Sequence, residues 1–211
     1  MAQVASPYGL RPVNLIGGQH FNGGTAREFV VAANTTAFYV GDLIALSAAG
    51  LPGRLTSTPT TSTAGVVGVL VGVRYVDPAL GYAVWGQYLP ANATSAGFTD
   101  ICVIVNDDPD QLYQIQGVGA LGTFNSGTDG SGWPGAVGKN SAVSWSGTPN
   151  TKLGVSDMRL ATGSNGASLD TTNTLGFRVV DVVRGTETDP YPEYIVKFNA
   201  GVHSYTAPLG V

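Results

Sequence analysis

The sequence predicts an all-β protein: a β-barrel or a jelly-roll-like sandwich, with an extended N-terminal arm and long Gly-rich loops. Three observations predict it. Short apolar runs of strand length recur along the chain, separated by Gly, Pro, Asn and Asp. No segment carries an apolar i, i+3, i+4, i+7 stripe over ten or more residues. Glycine supplies 30 of 211 residues, roughly twice its usual share, as many tight turns require.

Residues 1–24 are the arm. It opens MAQVASPYGLRPVNLIGG, where Pro7, Gly9, Pro12, Gly17 and Gly18 forbid a regular helix. Arg11 is its one charged side chain, and alternation is too weak for a long strand. Such a segment is either disordered or ordered only against a neighbour.

Residues 25–211 are the β-rich body. TAREFVVAANTTAFYV (25–40) is the longest run free of Gly and Pro, and it reads as two strands around Asn-Thr-Thr. Further strands are expected in AFYVGDLIAL, GVVGVLVGVRYV, YAVWGQYL, DICVIVN, QLYQIQG, SAVSW, LGFRVVDVVR and EYIVKFN. Alternation is clearest in the last, where Tyr194, Val196 and Phe198 share a face opposite Ile195 and Lys197. Turns are expected at 48–53, 107–110 and 127–130. Asp outnumbers Glu eleven to three, because Asp closes turns while Glu prefers helices.

Residues 125–150, NSGTDGSGWPGAVGKNSAVSWSGTPN, are the most Gly- and Ser-rich stretch. They form a linker between two β modules or a long loop. Linkers seldom carry tryptophan, so Trp133 and Trp145 favour a loop packed on the body or on a partner. Core and interface are equally open to both.

Charged residues make up 11%, against about 25% in an ordinary globular protein. The net charge is −4. Three lysines and seven arginines are scattered, and phosphate-backbone binding needs clustered cations, so no nucleic-acid partner is expected. No apolar run reaches membrane-spanning length, and no membrane partner is expected. Cys102 is the single cysteine and sits in the apolar run ICVIV, which predicts a small buried side chain and no intrachain disulfide. With no secretory leader legible at the N-terminus, cytoplasmic assembly is expected.

Catalytic constellations are not legible. His20 and His203, the two histidines, lie at opposite ends of the chain, and no spacing asks for a metal. Thr162-Gly163-Ser164-Asn165-Gly166 approaches a nucleophile elbow but begins with Thr and lies in a loop context. NDDPDQ at 106–111 lacks the glycine and distal Glu of a calcium loop and reads as an Asp-Pro turn. The expectation is a non-enzyme with no catalytic, metal or cofactor-binding residues and no small-molecule substrate.

Several stretches together resemble small virion proteins of tailed bacteriophages. ASPYGLRPVNLIGGQHFNGG resembles their Ala-Ser-Pro-aromatic-Gly-x-Arg-Pro start. Gly41-Asp42-Leu43-Ile44 resembles their Gly-Asp turn, and GVLVGVRYVD (68–77) their Gly-containing segment ending Tyr-x-Asp. NDDPDQLYQIQ and the ending VKFNAGVHSYTAPLG also have counterparts. GDLIALSAAGLPGRLT followed by GVVGVLVGV is similar to the β-barrels of capsid decoration (cement) proteins.

That resemblance implies a structural protein on the outer capsid surface of a virion, assembled in the host cytoplasm. Its partners would be the major capsid protein and itself, as a homotrimer, cementing neighbouring capsomers against DNA pressure. The arm would be disordered when free and would add a strand to a capsid-protein edge. Tyr8, Leu10, Arg11, Val13, Leu15 and Ile16 are then the expected contact residues, with Trp133 and Trp145 as anchors. A tail tube or head–tail connector protein is the alternative. A carbohydrate-binding or hydrolytic fibre β-sandwich is a further one.

Overall fold

The computed structural model describes residues 5–16, 18–20, 26–59, 65–119, 121, 133–163 and 168–207. In chain order its strands are β1 (Arg11–Leu15), β2 (Ala26–Val30), β3 (Phe38–Tyr39), β4 (Leu43–Leu46), β5 (Pro52–Arg54), β6 (Val66–Val76) and β7 (Ala83–Gly86). Then follow β8 (Tyr88–Leu89), β9 (Thr99–Asn106), β10 (Gln111–Gln116), β11 (Asn140–Trp145), β12 (Met158–Ala161), β13 (Phe177–Val182) and β14 (Glu193–Phe198). A four-residue helix, α1 (Trp133–Ala136), precedes β11.

The fold is an all-β sandwich whose sheets are not closed into a barrel. The first sheet has the order β1-β10-β14-β13-β11-β12. The second has the order β2-β9-β6-β4-β5, with β7 pairing the far end of β6. A ribbon of β3 and β8 lies beyond it. One bridge, Gly117 to Leu160, brings β12 against the extension of β10, and it goes no further.

Two cores hold these layers. Leu43, Val66 and Val69 of the second sheet pack with Tyr113, Ile115, Phe177, Tyr194 and Val196 of the first. On the other face of the second sheet, Val67, Leu70, Val73, Val103 and Val105 pack with Phe38, Leu89 and Ala93. β6 therefore buries side chains on both faces, which explains its nearly continuous apolar sequence. Gly68 permits the closest approach: a Cβ there would lie 2.0 Å from the Asn106 carbonyl oxygen.

The N-terminal arm departs from its expected form. Arg11–Leu15 is an edge strand, antiparallel to β10, with Arg11 opposite Gln114 and Leu15 opposite Gln111. Pro12 is tolerated because an edge strand leaves one side of its backbone unpaired. Ahead of it, Gly9 and Gly41 interlock at φ +74° and +90°, and the Leu10 amide donates to the Gly41 carbonyl at 3.0 Å. SAVSW forms as expected, as β11 inside the first sheet, so the Gly- and Ser-rich stretch of 125–150 ends in a strand and is not one long loop or linker throughout. The two strands of 25–40 form but belong to different sheets, β2 pairing β9 and β3 pairing β8.

Candidate functional site

The second sheet is longer than the cover the first sheet gives it. Near the start of β6, Leu43, Val69 and Asn106 share a row that faces the first sheet, where the Asn106 amide donates to Gln111 Oε1 at 3.2 Å. A bulge between Leu70 and Gly72 then shifts the register. Beyond it Val73 and Tyr75 still turn to the Phe38 and Leu89 cluster, so Gly72 and Arg74 lie on the opposite face.

That other face is open. Trp85, Arg74, Cys102 and Val30 form one register row across β7, β6, β9 and β2. Trp85 is 63% exposed and Val30 66% exposed. Between them Arg74 ion-pairs with Asp100 and with Glu28, the latter at 3.6 Å, and its guanidinium sits 6.0 Å from the Trp85 ring centroid. Its Nη2 also donates to Cys102 Sγ at 3.3 Å, and Cys102 is buried beneath it. The row has apolar ends and an ion-paired centre in which Arg74 meets two carboxylates. Exposed apolar side chains gathered in this way are a feature of contact surfaces.

The residues expected to make contacts scatter over the other sheet. Leu10, an expected contact residue, is 1% exposed and belongs to the intersheet core, so in this fold its side chain is spent on the protein's own interior. Tyr8 is buried too, with the Arg11 guanidinium 4.0 Å above its ring. Burial, reinforced by the nearby Glu193 carboxylate, pushes the Tyr8 hydroxyl far above its ordinary pKa. Arg11 is exposed, Val13 and Leu15 are half-buried, and Ile16 is 46% exposed. Trp145 ends β11, half-buried against the intersheet core. Trp133 opens α1, and its side chain lies outside the described residues.

A buried ionic cluster joins the two sheets beside Trp145. Arg54 of β5 lies between Asp42 and Asp157, 2.8 Å from the first and 3.2 Å from the second. Asp42 also accepts from Ser156 Oγ at 2.6 Å and from the Tyr39 amide at 2.9 Å. Asp157 accepts from Ser146 Oγ and from the amides of Gly147 and Thr148. Every carboxylate here is used in holding a loop or strand, which is structural work. At the other end of the molecule the buried His203 accepts from the Tyr205 amide at Nδ1, and burial lowers its pKa, so the ring stays neutral. Among the described residues, no three His, Cys, Asp or Glu side chains gather as metal ligands would. The 106–111 segment is the expected turn: Asp108 and Asp110 amides donate to Asn106 and Asp108 side chains.

No family model, no curated protein and no solved structure matches the chain.

Sequence reasoning passed over Trp85 and Val30. Two signals point to them. Arg74 is a lone cation in an apolar run, which marks the place where one face of β6 meets water. Trp85 alternates with Val84, which puts the indole and its neighbour on opposite faces of β7.

Proposed function

We propose that this chain is a structural virion protein that binds the outer surface of an icosahedral phage capsid and, as a homotrimer, cements neighbouring capsomers, stabilising the head against DNA pressure. The observation that carries this proposal is the open half of the second sheet, where Trp85 and Val30 are exposed in one row. Large aromatic side chains on a flat face are the usual anchors of protein interfaces.

Charge use supports the same reading. Arg27, Arg54 and Arg74 pair with Asp107, Asp42, Asp157, Asp100 and Glu28 within the chain. A chain with only 11% charged residues has little charge to offer a partner and adheres through apolar and main-chain contacts. The β1 edge adds a second contact region, with Arg11, Val13, Leu15 and Ile16 along it. Many weak contacts repeated by capsid symmetry give strong net attachment.

The test is the copy number of this protein relative to the major capsid protein in purified particles, by quantitative mass spectrometry. A number comparable to the capsid protein is expected. A few to a few dozen copies would instead indicate a connector, tail or fibre component, and absence from the particle would end the proposal.

A further inference from the structure

The outer side of β12 carries a cation that forms no ion pair among the described residues. Met158 and Leu160 are buried between the sheets, so Arg159 leaves the strand on the opposite face. Its Nε is buried with no hydrogen-bond partner among the described residues. The side chain lines a cleft of about 290 Å3 whose other walls are Ala5, Ser6, Pro7, Ser146, Thr148 and Asn150. Asp157, two residues away, is engaged by Arg54 and by the 146–148 loop. The chain from 145 to 150 alternates as a ridge. Trp145, Gly147 and Pro149 face the Arg54 side, and Ser146, Thr148 and Asn150 face Arg159.

We infer that this cleft binds a monoanionic sugar acid, with its carboxylate on the Arg159 guanidinium and its hydroxyls on Ser6, Ser146, Thr148 and Asn150. The inference is independent of the virion proposal. An unmet buried N–H is costly, and an oxyanion acceptor removes that cost. A cation with no ion-pair partner among the described residues favours an anionic ligand. The planar guanidinium fork matches a carboxylate through two parallel hydrogen bonds. Size then separates a bare ion from a larger ligand. Liquid water takes about 30 Å3 per molecule, so the cleft has room for a molecule of hexose size. Its walls hold hydroxyls and an amide, with Ala5 and Pro7 the only apolar side chains and no aromatic ring. The ligand is therefore polar along its length.

The experiment follows the Arg159 Nε–Hε signal of the isotopically labelled full chain by NMR while glucuronate, glucose, acetate or phosphate is added. Glucuronate is expected to shift that signal and to bind about tenfold more tightly than glucose or acetate. Arg159→Gln is expected to weaken glucuronate by about tenfold or more, and Arg159→Lys by less, because it keeps charge and loses the fork. Equal binding of glucose, acetate and glucuronate overturns the inference. So does tighter binding of phosphate, or unchanged affinity in Arg159→Gln. Should Arg159→Gln fail to fold, Asn150→Ala on the exposed rim takes its place. An expected loss of about threefold or more there supports the site, and unchanged affinity overturns it.

Discussion

Arg54 Nε lies 2.8 Å from Asp42 Oδ2, and the Arg54 side chain is only 13% exposed. The same guanidinium reaches Asp157, so one cation is shared by two buried carboxylates and ties β5 to the Asp42 turn and to the loop before β12. Removing one partner of a buried pair leaves an uncompensated charge. Arg54→Met is therefore expected to cost about 3–5 kcal/mol in urea unfolding at neutral pH. A cost below about 1 kcal/mol would mean that water already reaches the cluster.

Asp42 makes the stability depend on pH. Burial pushes its carboxyl from 3.8 up to about 6, against the opposing pull of Arg54, Ser156 and the Tyr39 amide. A group whose pKa is higher in the folded state adds stability below its unfolded value and loses it as pH rises through its folded value. The Asp42 contribution is thus fully present below 3.8 and lost as pH rises through about 6. Urea midpoints are expected to fall over that window in the wild type and to flatten in Asp42→Asn. Parallel profiles for the two proteins would refute the assignment.

The N-terminal strand is expected to be part of the isolated protein. Leu10 and Leu15 donate their amides to Gly41 and Gln19 carbonyls. Hydrogen exchange of the free chain should show the Leu10 amide protected, and Leu10→Ala should cost about 2–5 kcal/mol. Exchange at the rate of an open chain would restore an arm that orders only on its partner.

Gly41 is the fastener for that strand. At φ +90° it adopts a backbone that other residues rarely hold, and a Cβ would stand 2.6 Å from the Tyr8 carbonyl oxygen. Gly41→Ala is expected to destabilise by about 2 kcal/mol or more and to speed exchange at Leu10 more than at Val103. Equal acceleration at both amides would mean global weakening instead of local release.

Trp85→Ser separates interface from core. With its ring exposed, the change should move stability by no more than about 0.5 kcal/mol. Its occupancy on capsid particles should nonetheless fall. Full occupancy by Trp85→Ser would remove the open face of the second sheet from the proposed contact region.

Much of the strand content was legible in local sequence. EYIVKFN forms β14 with Tyr194, Val196 and Phe198 buried as its alternation required. DICVIVN and QLYQIQG form β9 and β10, joined by the Asp-Pro turn between them. Three strands were not visible. β1 contains Pro12, β5 is the tripeptide Pro52–Arg54, and β12 is the four residues MRLA. Each is short or contains proline, so each owes its existence to a partner strand more than to its own propensity.

The sequence by itself determined the fold class, the strands with clear period or strong β propensity, and the poverty of free charge, because these follow from residue type and from neighbours along the chain. Tertiary structure alone decided which residues face outward. Leu10 and Trp85 are both apolar residues in short segments beside glycine. One is sealed by a sheet arriving from distant sequence, and the other lies where that sheet ends. The pairing of Arg54 with Asp42 and Asp157, and the absence of such a partner for Arg159 among the described residues, were likewise set by long-range packing. Burial is a property of what lies across the gap, and a local pattern does not encode it.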